Sequence, residues 1–511
     1  MREPISLLRY SPALVLFAIA VADWSRFADP DLWGHVRFGQ DVLRQGHLVW
    51  RDPYSYSAVG HLWLNHEWLS ELIMGALYNS FGVFGLKLMK FACAALTIIF
   101  MAAAESETGA SPLLQSAILL ASAVTVATQM QFRPQVFPFA MLSALIYLLA
   151  RDVYRSRAPL WLAIPMLAVW ANLHGGFILG VATLAIYGTV RGVQDLVAGR
   201  GVARLSRLGA ITILATLATL ATPYGIGTWR AVMHALLNPY TRIVVADWQN
   251  LFTSIGSRWH TDPLTVVFFE IALLLIAALV FSFVLSPTAD DLPLVGIAGV
   301  LSVAAIVSVR NVPIAVIAIA PPLARHLPIA LRRRLPWFAN AGPVKRASRW
   351  SQALFATLAV LLIARGDFFS NHLDAGAPYP VSATEFIKQR GLKGNLLSLF
   401  SWGEYLIWHL GPDSKVFVDG RYDTVYPQEV LEAFFAFNYA RPGAEIPLDK
   451  YPTEYVLIPP ELAARRLMDS RRDWRLVYRD DVSMLYARGD LPAAKFPGIP
   501  IVGTAMPASF P

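Results

Sequence analysis

Asp29, Asp31 and His35 stand close together in the stretch FADPDLWGHVRFGQDVLRQG, residues 27–46, directly after an apolar run. Asp31 precedes His35 by four positions, so on a helix the carboxylate and the imidazole share a face. A carboxylate beside an imidazole at a boundary between water and lipid suits general-base chemistry or a divalent cation. Asp29 has a simpler reading, because an aspartate before proline is a helix start: Asp29 would be the N-cap and Pro30 the first helical residue. Asp31 is therefore the sharper candidate. A second polar group follows in NHEWLSEL, where Asn65 can cap a helix, His66 and Glu67 form a polar pair, and Glu67 and Glu71 repeat at four-residue spacing.

The elements that must position these groups follow from composition. The chain has 511 residues, 56% of them hydrophobic and 15% charged, with a mean hydropathy of +0.48. Its apolar runs predict a polytopic α-helical membrane protein. Spans are expected near 8–26, 84–104, 113–129, 135–150, 159–173, 176–190, 208–223, 264–286, 292–309, 312–325 and 350–366, about eleven transmembrane helices. A net charge of +8 could point to nucleic acid, but the basic residues fall in short loops between spans, where they set orientation. Cys93 is the single cysteine, which excludes an intrachain disulfide or a cysteine-based metal cluster. An Ala20-x-Ala22 pattern imitates a signal-cleavage site, but the many later spans favour an uncleaved first helix.

Arg2, Arg9, Arg151, Arg155, Arg157, Arg191, Arg200, Arg204, Arg207, Arg325 and Arg332 to Arg334 fall on one side, which the positive-inside rule makes cytoplasmic. Glu105, Glu107, Asp290 and Asp291 break the pattern on that side. The N-terminus is expected inside and the C-terminal region outside a bacterial inner membrane. The outward ends then carry the long first loop, QMQFRPQ with Arg133, WANLHGG with His174, VVADWQN with Asp247, and VRNVP with Arg310. Polar groups at membrane depth are costly and usually face a cavity, so these segments point to a shared outward site. Within the first loop, Leu32, Val36, Gly39 and Leu43 predict an amphipathic helix lying along the membrane surface.

Beyond residue 366 the composition becomes that of a small soluble α/β domain, residues 367–511, set against a transmembrane domain, 1–366, with its loop at 27–83. Strand-like runs at 395–400, 415–419, 455–458, 474–478 and 483–487 alternate with helical stretches at 382–390, 403–410, 427–438 and 460–469. Trp402 and Glu404 in WGEY, and Arg421 in DGRYD, follow strands, a common binding position in α/β sheets.

A long first outer loop opening on an acidic motif, two helices within it, and about a dozen spans resemble the glycosyltransferases of the C superfold (GT-C). These include the protein mannosyltransferases, the aminoarabinose transferases and the oligosaccharyltransferase catalytic subunits. The opening is also similar to that of bacterial membrane proteins with DPDLWWH-type starts; Gly34 stands here in place of the second tryptophan. WGEY resembles a degenerate WWDYG motif, with one tryptophan missing and Glu404 in the place of Asp.

The resemblance implies transfer of a sugar from a polyprenyl-phosphate-linked donor to an extracytoplasmic acceptor, with Asp31 and Asp29 as base or as ligands of a divalent metal such as Mg or Mn. Such transfer needs a base for the acceptor, a cation for the leaving phosphate and a groove for the lipid. His35, His66, Glu67, Arg133, His174, Arg310, Trp402, Glu404 and Arg421 are the expected donor-phosphate or substrate contacts. The partners are membrane lipid, donor and acceptor, with no nucleic acid. No dinucleotide-binding glycine motif, P-loop or HExxH zinc motif is present. A non-catalytic flippase or assembly subunit for lipid-linked glycans is the alternative.

Overall fold

Short polar residues start several of the apolar helices. Asp262, ahead of Pro263, accepts the amide of Thr265, and Asn250 accepts the amide of Phe252. The structure, a computed structural model, describes residues 27–156, 158–238, 246–286, 288, 290–334, 357, 370–492 and 501–511. In chain order it runs through β1 (Phe27–Ala28), α1 (Leu32–Gln45), α2 (Trp68–Phe81), α3 (Val83–Ser106), α4 (Pro112–Ala127), α5 (Val136–Arg155), α6 (Ala163–Leu173), α7 (Phe177–Val197), α8 (Ala203–Ala218), α9 (Ile226–Leu237), α10 (Leu251–Arg258), α11 (Pro263–Leu285), α12 (Leu292–Val307) and α13 (Val312–Arg334). After these come β2 (Leu373–Ala375), α14 (Val381–Gln389), β3 (Gly394–Ser398), α15 (Gly403–Leu410), β4 (Ser414–Val416), α16 (Gln428–Asn438), β5 (Tyr455–Ile458), β6 (Trp474–Arg479), β7 (Met484–Arg488), β8 (Ile501–Val502) and β9 (Ser509–Phe510).

The chain divides into two compact units, one joining Phe27–Leu86 to Ser370–Pro511 and the other built on the helices from Lys87 onward. In the helical unit, each expected span within the described residues is a helix. Five helices are long and apolar enough to cross a membrane, among the described residues: Val83–Ser106, Val136–Arg155, Phe177–Val197, Pro263–Leu285 and Val309–Arg334. Others are shorter. The 16 residues of α12 rise only about 24 Å at about 1.5 Å each, less than the roughly 30 Å of a hydrocarbon core. The expected span 8–26, the span 350–366 apart from Thr357, the Ala20-x-Ala22 pattern and the boundary at 366 lie outside the described residues. Two of the acids that broke the charge pattern have local partners: Asp291 is buried against His326 at 3.1 Å, and Glu107 pairs with Arg155 at 2.7 Å. Glu105 is fully buried, with no hydrogen-bond partner for either carboxyl oxygen.

In the other unit, a six-stranded sheet runs in the order β4-β3-β5-β7-β6-β8. β3 pairs parallel to both β4 and β5, whereas β7 is antiparallel to β5 and β6. The expected α/β alternation is present. The first loop is built into this unit: β1 pairs parallel to β2, and Ser55 bridges Val416 at the sheet edge.

The amphipathic helix expected along the membrane surface is instead an internal element. Leu32, Trp33, Val36 and Phe38 of α1 are buried. Trp33 packs against Tyr379, Tyr405 and Phe510 at 4.9 to 5.6 Å between ring centroids. Leu32, Val36 and Gly39 of the apolar stripe are therefore covered by protein, while Leu43 at its end stays exposed.

Candidate active site

Both helices of the first loop begin two residues later than the cap positions read from sequence. Asp29 Oδ1 accepts the amide of Asp31 at 3.0 Å, and Asn65 Oδ1 accepts the amide of Glu67 at 3.0 Å. These Asx turns hand the first helical position to Leu32 and Trp68. Asp31 and Glu67 occupy the N-cap positions, yet neither side chain bonds its own helix terminus.

One turn further on, His35 Nδ1 meets Glu71 Oε1 at 3.1 Å. One turn beyond that, the helices cross backbone to backbone. A Cβ on Gly39 would lie 1.9 Å from the Glu71 carbonyl oxygen, and one on Gly75 would lie 2.7 Å from the Gln40 amide. Only glycine admits this approach, and the approach brings the His35 and Glu71 side chains together.

His35, Glu67 and Glu71 place one ligand atom each within 4.8 Å of one another. An imidazole and two carboxylates make a nitrogen and oxygen donor set suited to a divalent ion. Asn65 Nδ2 donates to Glu71 Oε2 and so fixes that carboxylate from behind. His66 Nε2 lies 3.8 Å from Glu67 Oε1. Burial lowers the His35 pKa, but the hydrogen bond to Glu71 and the charges of Glu67, Glu71 and Asp31 outweigh it and leave it raised.

Glu404 enters from the start of α15, and its burial is nearly complete. Its Oε2 accepts the amide of Gly34 at 3.1 Å, and a Cβ on Gly34 would fall 2.1 Å from that oxygen. The glycine in the place of a second tryptophan thus makes room for the glutamate of WGEY. Across Gly420, Asp31 Oδ1 and Glu404 Oε1 lie 2.5 and 2.7 Å from where a Cβ would begin, so the two carboxylates are neighbours. Burial, then Asp31 and Asp419, and more weakly Glu71, hold Glu404 well above the usual carboxylate range, against the pull of Arg421.

Arg421 donates Nε and Nη2 to Asp419 at 2.8 and 2.6 Å, and Nη1 to Asp52 at 2.8 Å. Its guanidinium lies 4.8 to 5.9 Å from the ring centres of Trp63, Tyr54, Phe38 and Tyr426. Asp419 also accepts the Tyr426 hydroxyl at 2.6 Å. These contacts tie the first loop to the segment after β4. Trp402 is buried, and its Nε1 donates to the Pro378 carbonyl at 3.0 Å.

In the helical unit, His174 Nδ1 accepts the amide of Gly176 at 2.8 Å at the junction of α6 and α7. Arg310 lies over the Trp248 ring at 5.6 Å, and Asp247 stands 4.0 Å from Arg258. Arg133 precedes α5 and is half-buried. The sequence reading passed over Lys87 and Lys90, two buried lysines on α3, although charge inside an apolar run was a signal in plain view. Lys90 Nζ sits 4.4 Å from the centre of the Phe132 ring. It also passed over Asp52, whose role depends on a partner 369 positions away.

No known family profile matches the sequence, and no curated protein matches it. Solved structures do. The Archaeoglobus fulgidus oligosaccharyltransferase in its apo form aligns with a TM-score of 0.54 at 11% identity, over 88% of this chain and 69% of that one. The same protein tethered to an acceptor peptide gives a TM-score of 0.52 at 11% identity and the same coverage. The ArnT protein of Cupriavidus metallidurans in its apo state gives 0.50 at 15% identity, over 94% of this chain and 97% of that one. The chain shares its fold with these oligosaccharyltransferase and ArnT structures.

Proposed function

We propose that this chain is an integral-membrane glycosyltransferase that moves a sugar from a polyprenyl-phosphate-linked donor to an extracytoplasmic acceptor, an envelope glycan, lipid or protein. The observation that carries the reading is the placement of Asp31. It stands at a helix start that it does not cap, beside the buried Glu404 across Gly420, on a fold shared with membrane glycosyltransferases. Asp31 takes the acceptor proton as the acceptor oxygen or nitrogen bonds to the anomeric carbon. The anomeric bond to the phosphate breaks, and its electron pair leaves with the polyprenyl phosphate.

His35, Glu67 and Glu71, with Asp31 close by, would hold a divalent ion such as Mg or Mn, which when bound supplies positive charge for phosphate oxygens. Asp29 shapes the turn that presents Asp31. Burial and the neighbouring Asp31 raise the Glu404 pKa, which favours the neutral form of Glu404 beside Asp31. Arg421 positions the loop through Asp52 and Asp419, while Trp402 packs the start of α15. Arg133, His174 and Arg310 remain the donor-phosphate contacts expected from the sequence. His66 orients Glu67. The topology we propose has eleven spans across a bacterial inner membrane, with the N-terminus cytoplasmic and the C-terminal region outside.

The test is Asp31→Asn in purified protein with an unchanged elution profile and melting temperature, assayed for transfer from a panel of polyprenyl-phosphate sugars. Loss of transfer with folding intact is expected. Turnover equal to the parent would remove Asp31 from the mechanism. A parent that translocates these lipids without transferring from any of them would make the chain a flippase.

A further inference from the structure

Residues 47–63 form a hairpin between α1 and α2. Trp63 donates its amide to the Trp50 carbonyl at 2.9 Å, Asp52 donates to His61 at 3.0 Å, and Arg51 pairs with Leu62 across the ribbon. The turn is closed by the His61 amide on the Ala58 carbonyl at 2.9 Å, with Gly60 at φ +70°. Arg51 Nη1 caps the Gly60 carbonyl at 2.7 Å. One side of the ribbon is anchored: Trp63 packs on Phe38 at 5.0 Å, and Asp52 takes the Arg421 guanidinium at 2.8 Å.

The other side is apolar and open. On it Leu62, opposite Arg51, is 53% exposed and Val59, at the tip, 63%; Trp50, opposite Trp63 on the anchored side, is still 45% exposed at the far end of the ribbon. Rigid backbone pairing prevents these side chains from folding back, so water must cover them unless something else does. The charge pattern is equally one-sided. Between positions 43 and 62 the only acid is Asp52, which is buried, whereas Arg51, His47 and His61 are exposed. A tryptophan and aliphatic side chains flanked by arginine and histidine are the residue types of the membrane headgroup layer. There the aromatic ring sits at the polar boundary and the arginine reaches the phosphates. The chain returns to membrane-length helix at Val83, shortly after the hairpin.

We propose that the 47–63 hairpin dips into the outer surface of an anionic bilayer, with Val59 and Leu62 among the upper acyl chains, Arg51 on lipid phosphates, and Trp50, at the far end of the ribbon, at the polar boundary. This contact rests on the membrane character of the chain and not on the reaction it performs. It stands or falls independently of Asp31.

The test is site-directed spin labelling of the full chain in liposomes. Cys93, the single native cysteine and buried, is replaced by serine, and a label is placed at Val59→Cys or, as an aqueous reference in the same unit, at the exposed Lys393→Cys. In phosphatidylglycerol-rich vesicles, the label at 59 should show a several-fold higher ratio of oxygen to nickel-chelate accessibility than the label at 393. Adding Arg51→Glu, or changing to purely zwitterionic lipid, should reduce that ratio. A label at 59 as open to the chelate as the one at 393 would overturn the proposal. So would a label shielded from both oxygen and chelate, since that is the signature of a protein partner on this face.

Discussion

The starts of α1 and α2 are built alike at a separation of 36 positions. Asp29 corresponds to Asn65, Asp31 to Glu67, His35 to Glu71 and Gly39 to Gly75. Each half has an Asx turn, a carboxylate at the N-cap position, a ligand-type side chain one turn later and a glycine at the crossing. The two halves differ in what they face. Beside Asp31 lies Gly34, open to Glu404; the corresponding residue in α2 is Ser70, which is buried. Glu67 has His66 for a neighbour instead. Shared architecture therefore gathers a metal-capable group, while one substitution, glycine for a residue with a side chain, directs the second acidic partner to Asp31 alone.

Isosteric removal of each N-cap carboxylate tests that division most strongly. Asp31→Asn should lower the transfer rate by roughly 10²- to 10⁴-fold, the range of a lost general base, with substrate affinity little changed. Glu67→Gln should act mainly on metal binding, weakening Mn²⁺ affinity in a calorimetric titration and recovering rate at high Mn²⁺. Equal, metal-independent losses in both variants would erase the distinction.

Next in size is the helix crossing. Gly39→Ala forces a methyl group into the Glu71 carbonyl, a backbone atom that can yield only if the helices part, and should cost about 3 kcal/mol. Gly75→Ala has a less severe overlap and should cost less. Thermal unfolding of the two variants checks the order. If Gly75→Ala were the worse, the Gly39 contact would not be the closest point of the crossing.

The comparison also shows what a sequence can disclose. Four-residue spacing put Asp31 with His35 and Glu67 with Glu71, because helical periodicity is local. The strands and helices of the C-terminal region were legible for the same reason. The pairing of His35 with Glu71 was not, since it depends on two glycines meeting in space. Glu404 could be singled out from WGEY, but not its seat on the Gly34 amide, 370 positions away in the chain. Hydropathy found the long apolar helices of the other unit and missed Ile226–Leu237 and Leu251–Arg258, and it could not tell an apolar stripe facing lipid from one facing protein. That is why α1 was expected at the membrane surface and is found buried inside its unit.

Smaller effects separate the two turns. Asp29→Ala and Asn65→Ala each remove an acceptor for a helix-start amide, worth about 1 kcal/mol by analogy with capping. Asn65→Ala should be the costlier, because it also strips Glu71 of the Asn65 amide donor.

The smallest effect is read in pH. Burial works against protonation of His35, yet Glu71, Glu67 and Asp31 together raise its pKa above 6.5. The folded chain therefore binds this proton more tightly than the unfolded chain does. The resulting stabilisation is complete below the ordinary imidazole value and is lost as pH rises through the raised one. In chelator, the parent's melting temperature should thus fall as pH climbs from about 6.5, and Glu71→Gln should flatten the slope by removing the nearest carboxylate. Saturating Mn²⁺ should flatten it too, because a metal on these side chains takes the place of the proton. A slope unchanged by both treatments would mean that His35 titrates outside the group formed where the two helices cross.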